Sequence, residues 1–450
     1  MSTIREHGSE QPYIPLGPFK LRLPFLHYKW TFPEGLQGAI LVAVPLAATA
    51  VHVEILGVPF EVAVLMVLLN GFLYMLHVSL GDPIFPGWIT PIIPLVTPWA
   101  VNGFEAGPDR IHAIIALQLM MALLFLIFGF TGFSKKITKI VPLSLRSGVI
   151  LGAAIAAIYS VVRPDSFSRM AGVEISAIVG TLVAFTMMYS FRYTNLKNKM
   201  SIFAYIGKFG LLPGIVAALI IGVIVKELPM PTINLSDGIF VSFPFREMIE
   251  NYTIFGIGLP SINHFIQALP MLFVAYLICF GDFITSEAIL DDAGKAREDE
   301  KIDYNINRSN LIVGIRNMIL GLFAPYAPLS GPIWVGGTVA TCERYKQGKK
   351  EMSSIYGGMS SYIFFMALAA VFLPVVSLFR PALPVAMSIT MMVTGWACGY
   401  IAMNMCKSRE EQGIALITGI AIAFQSAAIG LAVGVVLHLF IGVSQRTPSE

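Results

Sequence analysis

The sequence predicts an all-α integral membrane protein of about fourteen spans. Three observations carry this: an apolar composition, recurrent apolar stretches of span length, and basic residues gathered in alternate connections. Of 450 residues, 56% are hydrophobic and 13% charged, and the mean hydropathy is +0.74. A soluble domain carries about 25% charged residues. A chain this apolar has too little polar surface for water, and lipid is the solvent that fits.

A spanning helix needs about 20 mostly apolar residues. Such stretches lie at 35–53, 59–79, 84–101, 112–131, 138–162, 173–190, 209–228, 265–290, 309–323, 332–341, 352–379, 383–405, 412–425 and 427–443. The segment before them, 1–33, is polar and contains proline, without the apolar core or cleavage site of a signal peptide. It reads as a cytoplasmic tail. With both termini inside, the inner connections carry Lys135, Lys136 and Lys139, then Arg192, Lys197, Lys199 and Lys208, then Lys295, Arg297, Lys301 and Arg308, then Arg344, Lys346, Lys349 and Lys350, then Lys407 and Arg409. The outer ones carry only Arg110, Arg163, Arg169, Lys226, Arg246 and Arg380. This positive-inside pattern predicts a multi-pass plasma (inner) membrane protein with both termini cytoplasmic. The longest connection, 229–264, reads as an outer-surface link between two halves, 34–228 and 265–443, with 444–450 as a C-terminal tail.

Composition and motifs also exclude functions. Cys279, Cys342, Cys398 and Cys406 have no metal-ligand spacing and read as small packing residues. A Gly-rich phosphate loop, a paired-His motif and a nucleophile elbow are all missing, which argues against an enzyme. Basic residues parcelled among short loops argue against a nucleic-acid partner. No cofactor is called for beyond a coupling ion.

The third and tenth stretches are short and broken by Gly and Pro. One begins Gly81-Asp-Pro-Ile-Phe-Pro-Gly87 and the other Gly331-Pro-Ile-Trp-Val-Gly336. Pro83-Ile84-Phe85 and Gly87 thus echo Pro332-Ile333-Trp334 and Gly336. An offset of about seven spans turns the second copy upside down, as in an inverted-topology repeat, and paired broken segments point to a transporter's substrate site. Pro86 suits a helix's first turn, where a missing N–H costs nothing. Free N–H groups and the positive dipole end at Gly87 and at Val335–Gly336 would cradle an anion or an electronegative oxygen.

The eighth stretch holds a carboxylate, Asp282, deep in the span, at a cost of about 2.5–3.5 kcal/mol on insertion scales. Ser286 lies one turn on and Thr285 beside it. This face can hold Na⁺ through oxygen ligands, or a proton. Glu287 lies nearer the cytoplasmic end and points elsewhere. Asp291 and Asp292 read as solvated at the membrane edge, and Arg316, in the ninth stretch, as the partner of one of these acids.

Several stretches resemble the SulP anion permeases: Lys301-Ile-Asp303-Tyr-Asn305, Leu311-Ile-Val-Gly314-Ile-Arg-Asn317, Gly321-Leu-Phe-Ala-Pro-Tyr326, Pro328-Leu-Ser-Gly331, and in the first span Gly35-Leu-Gln-Gly38, Pro45-Leu-Ala-Ala-Thr-Ala50 and Gly57-Val-Pro59. The resemblance implies a seven-plus-seven inverted repeat. It implies a core of spans 1–4 and 8–11 that moves like an elevator against a gate of spans 5–7 and 12–14, usually in a homodimer. Substrate would lie between the half-helices of spans 3 and 10, against spans 1 and 8. The family's C-terminal regulatory domain has no counterpart in these residues. Its usual Ser and Arg at the start of the tenth span's half-helix are replaced by Trp334 and Val335, which speaks against a divalent inorganic anion.

The expected function is therefore secondary active transport of a small organic or inorganic anion, coupled to Na⁺ or H⁺ at Asp282, with Thr285 and Glu287 beside it. Phe85, Pro86, Gly87, Trp334, Val335, Gly336, Gln37 and Ser286 would shape the substrate site, and Pro45 would free a carbonyl toward it. Two rivals share the fold: a nucleobase permease, in which Phe85 and Trp334 stack on a ring, and an uncoupled anion channel.

Overall fold

In lipid, a segment must satisfy its backbone polar groups internally, so apolar stretches fold as helices. The computed structural model describes residues 5–133, 140–164, 169–233 and 238–441. Lys135, Lys136, Lys139 and the tail 444–450 lie outside the described residues. The chain opens with a hairpin, β1 (Ile14–Leu16) and β2 (Phe19–Leu21). The first half then runs α1 (Phe32–Leu56), α2 (Phe60–Leu80), a short strand β3 (Gly87–Trp88), α3 (Ile93–Gly103), α4 (Pro108–Thr131), α5 (Leu143–Val162), α6 (Glu174–Tyr189) and α7 (Leu212–Ile224). The second half runs α8 (Ile262–Lys295), α9 (Ile306–Phe323), strand β4 (Ser330–Gly331), α10 (Val335–Tyr345), α11 (Ile355–Ala369), α12 (Leu373–Met405), α13 (Arg409–Phe424) and α14 (Ala427–Ile441). Among the described residues, α1, α2, α4, α5, α8 and α12 are long and apolar enough to cross a membrane, and α6 with Phe191–Lys197, bent by 62°, would make a seventh.

The helices pack in two sets. In one, α4 lies on α8 and α9, and α11 lies on α1 and α2; in the other, α5 lies on α12 and α13, and α6 on α7 and α12. α8 also touches α5 and α14, so it runs along the boundary between the sets. The α1–α11 contact is closest at Gly38, where an added Cβ would sit 2.2 Å from the Tyr362 carbonyl oxygen. Only glycine permits that approach.

Two expectations change. The eleventh stretch, read as 352–379, ends as a helix at Ala369. Pro374 starts a new helical segment, Leu373–Phe379, that leads into the twelfth. The connection 229–264 is partly helical at Phe245–Tyr252, and it docks on the α11–α12 turn through Val241 N–H to Val371 O (2.9 Å) and Leu373 N–H to Ile239 O (2.8 Å).

The segment read as a tail is a clasp. Lys301 N–H donates to Ser9 O at 3.0 Å, and Arg22 N–H donates to Ser79 O at 2.8 Å. Arg5 bonds the Asp299 carboxylate and donates to Ser353 O at 2.8 Å. The Trp30 indole donates to Ser360 Oγ at 2.9 Å. Residues 5–31 thereby join α2, the α8–α9 loop and α11. Beside the clasp, Arg308 of α9 pairs with buried Asp82 (2.6 Å) and with Asp303 (2.8 Å), which also meets Lys20 at 2.7 Å.

Candidate functional site

The two echoed segments meet. β3 and β4 pair antiparallel with Gly87 opposite Gly331 and Trp88 opposite Ser330. Further bonds extend the junction: Ile89 N–H to Leu329 O (3.1 Å) and Trp334 N–H to Phe85 O (2.6 Å), with Phe85 N–H donating to Thr338 Oγ1 at 3.1 Å. Glycine eases the close approach here. A Cβ on Gly87 would lie 3.1 Å from Ile333 O, and one on Gly331 would lie 3.2 Å from Ile89 Cγ1. Leu329 takes φ +56°, a strained left-handed conformation for a side-chain-bearing residue. Such strain persists only where the surroundings over-determine it.

From the ladder each chain turns into a helix. Trp334 caps α10 with extended dihedrals, so the exposed Val335 and Gly336 form its first turn. On the other side the helix starts later than expected. Gly87 is strand, Pro86 lies ahead of it outside any helix, and the first helical turn is the 3₁₀ segment Thr90–Ile92, with Pro91 and Pro94 placed where helix N-termini tolerate proline. That turn packs against α8 of one helix set and against α5 and α12 of the other. The start of α3 therefore lies at the boundary between the sets, and the ladder joins the start of α10 to it.

Buried irregular backbone needs hydrogen-bond partners, and side chains from three helices supply them. Asn317 Nδ2 donates to Ser330 O (2.9 Å) while its Oδ1 accepts from Ser330 N–H (3.0 Å), acting as a third strand. Gln118 Oε1 accepts from Tyr326 N–H (2.9 Å), and Asn70 Oδ1 accepts from Ser330 Oγ (3.2 Å). Arg316 donates to Gly331 O (2.9 Å), Gly87 O (3.3 Å) and Asn70 Oδ1 (3.2 Å) and approaches His77 Nε2 at 3.3 Å. Its guanidinium also sits 4.7 Å from the Tyr74 ring. The expectation that Arg316 pairs with an acid fails. Among the described residues no carboxylate lies within ion-pair distance of it, because Arg308, two turns away, takes Asp82 instead.

The sequence-picked residues divide into groups. Phe85, fully buried, stands edge-on to Trp334 (5.0 Å) and to Tyr362 (5.0 Å), and the Gln37 side chain engages the Tyr362 hydroxyl. Tyr362, which the sequence did not single out, thus links Gln37 to Phe85 and Trp334. Asp282 is half-buried on α8, and its charge is felt at Cys279 on the same helix and at Cys398 on α12. It has no basic side chain within ion-pair distance among the described residues. Thr285, half-buried, donates to Gly281 O at 3.0 Å. Ser286 is fully buried; its hydroxyl donates to Asp282 O at 2.8 Å and engages Tyr304, so it serves the α8–α9 contact. Glu287 is half-buried, and Asp291 and Asp292 are exposed, Asp292 pairing with Lys346 at 2.5 Å. The carbonyl that Pro45 frees, Leu41 O, accepts from Val44 N–H at 3.0 Å and is not open.

Arg316, Asn317, Gln118 and Asn70 carry the junction and were mostly missed. Gln118 and Asn70 each stand alone, and Arg316 with Asn317 as a pair, among apolar residues, which is a signal of function, but their partners lie up to 246 residues away in the chain.

No family model matches this sequence, and no curated protein does. Solved structures do. The chain is similar to the transmembrane domain of the bicarbonate transporter BicA of a cyanobacterium, with TM-score 0.53 and 14% identity over 90% of this chain and 99% of that one. It is also similar to the murine anion transporter Slc26a9 in its inward-facing state, with TM-score 0.54 and 13% identity over 91% of this chain and 67% of that one. A further structure of SLC26A9 matches with TM-score 0.53 and 14% identity, over 91% of this chain and 64% of that one. At this identity the likeness is one of fold, shared with structures named as membrane transporters.

Proposed function

We propose that this protein is a secondary active transporter of a small anion, coupled to Na⁺ or H⁺. One observation carries the reading: the starts of α3 and α10 converge on the β3–β4 ladder, at the boundary that α8 and its unpaired Asp282 run along. Helix starts favour negative charge, and two of the similar structures are named as a bicarbonate transporter and an anion transporter.

The packing supports a seven-plus-seven inverted repeat. Exchanging each helix with the one seven places on turns the α1–α11 contact into α8–α4, α2–α11 into α9–α4, and α5–α13 into α12–α6, all of which occur. In this reading all fourteen helices span or enter the membrane, and the set containing α1–α4 and α8–α11 is a core that slides, elevator-like, against the gate formed by the rest. Both termini are cytoplasmic, and the carrier is a homodimer in the plasma membrane. Asp282, at the core–gate boundary, is the coupling residue. A cation or proton there makes the loaded core cheaper to carry past apolar helices, because an uncompensated buried charge costs several kcal/mol. Trp334, Val335, Gly336 and Thr90 line the anion's place. Trp334, half-buried and edge-on to Phe85, keeps a stacking nucleobase as the second reading.

The test is Asp282→Asn in proteoliposomes. The variant is expected to let anion equilibrate but not accumulate when a Na⁺ or H⁺ gradient is imposed. Accumulation at the wild-type level would remove Asp282 from coupling. Purely downhill flux in the wild type would favour the channel.

A further inference from the structure

We infer that Arg316 is the fixed positive charge that a monovalent anion answers at the half-helix junction, acting from behind the β3–β4 ladder without touching the anion. This deepens the transport reading above and rests on it.

Arg316 is fully buried. Its terminal N–H groups are occupied by Gly87 O, Gly331 O, Asn70 and His77, all neutral acceptors, and its Nε has no partner. Guanidinium is always protonated in a protein, so a full charge sits here. An unpaired buried charge costs several kcal/mol. The Tyr74 ring returns about 0.5–2 kcal/mol as a cation–π contact, which does not cover that cost. Bonding two carbonyls does not require a charge either: Asn317, the next residue, satisfies both backbone groups of Ser330 with a neutral amide. The charge therefore asks for a counter-charge that the described side chains do not provide. Two other buried charges are matched, Asp82 by Arg308 and Glu34 by Arg344 at 2.7 Å.

The chain leaving the ladder reaches exposed surface within a few residues, at Val335 and Gly336. An anion bound there neutralises Arg316 across the ladder. The charge at Val335 that the SulP resemblance leads one to expect is thus supplied from α9. One charge calls for one charge, which selects monovalent over divalent anions. It also fixes the coupling. An anion at the junction answers Arg316 and a cation at Asp282 answers that carboxylate, so the core that carries both leaves neither charge unmatched and is the one that crosses cheaply.

The experiment is thermal unfolding of the purified full chain in detergent, titrated with chloride, nitrate, formate or bicarbonate, and with sulfate or oxalate. Wild type is compared with Arg316→Gln, Arg316→Lys and Asn70→Asp. The last leaves the clamp in place and puts a carboxylate where Asn70 Oδ1 already meets Arg316 at 3.2 Å. Wild type and Arg316→Lys are expected to respond to monovalent anions at lower concentration than to divalent ones. Arg316→Gln and Asn70→Asp are expected to need at least tenfold more, and Asn70→Asp to melt higher without any anion. An Asn70→Asp protein that responds like wild type makes Arg316 a structural clamp and overturns the inference, even if Arg316→Gln fails to fold. A wild type that prefers sulfate or oxalate overturns it as well. A wild type that responds to uracil or xanthine and to no anion overturns the anion reading itself, and is told apart by needing no variant.

Discussion

Arg308 and Arg316 sit on one face of α9, about two turns apart, and both are buried. Their surroundings differ in one respect. Arg308 meets two carboxylates, Asp82 and Asp303, within a cluster that also holds Lys20 and Glu10. Arg316 meets none among the described residues, and instead gathers the carbonyls of two strands. The first arginine completes its own electrostatics and ties the clasp and β3's approach to α9. The second leaves a charge open at the place where two helix starts converge. The same residue type thus serves rigidity at one end of a helix and recognition near its middle, and the missing acid tells them apart.

The comparison breaks most readily at Arg308. Arg308→Gln strands the Asp82 carboxylate, fully buried, and is expected to cost about 3–5 kcal/mol. It should be seen as a large fall in melting temperature in anion-free detergent. Arg316→Gln strands no charge and should lose less under the same conditions; equal losses would mean that the missing acid does not distinguish the two sites. A loss of similar size is expected at Asn317→Leu, which leaves the Ser330 N–H and C=O without partners at roughly 1–3 kcal/mol each. The loss should appear in the melting temperature and in faster amide exchange around β4.

The smallest effect is expected at the clasp. The guanidiniums of Arg297 and Arg5 hold the Asp299 carboxyl down at about 2, below its ordinary 3.8. Its contribution is therefore fully present above pH ~4 and is lost as pH falls toward about 2. Protease cleavage within residues 5–31 should rise across that window and remain flat between pH 5 and 8. A rise near neutral pH would place the clasp's hold elsewhere.

Much of this is legible in the sequence. Lipid imposes apolar stretches of fixed length, so the helices could be read as segments. The two half-helices announced themselves because Gly and Pro break the pattern where plain spans would not. The ladder is not legible in the sequence: two residues on each side carry no period, and Gly87 equally suits the start of a helix. Tyr362 looked like any aromatic in a span, and its link from Gln37 to Phe85 depends on the close approach at Gly38. Ser286 shared the right helical spacing with Asp282, yet its hydroxyl turned back onto its own helix, a local choice that spacing cannot reveal. The clasp read as a tail because its partners lie far along the chain.

That separation has a consequence in time. Arg5 precedes its acceptor Ser353 by 348 residues. At about 5–20 residues per second, the lag during synthesis is on the order of 20–70 s. Throughout that interval Arg5 and Arg22 remain on the growing chain while α1 and α2 already have their lengths, and the loop holding Asp299 emerges well before α11 does. The clasp can close only after the last element it touches has been made. It acts as a latch on assembly order, joining the beginning of the chain to its later helices once both repeats are present.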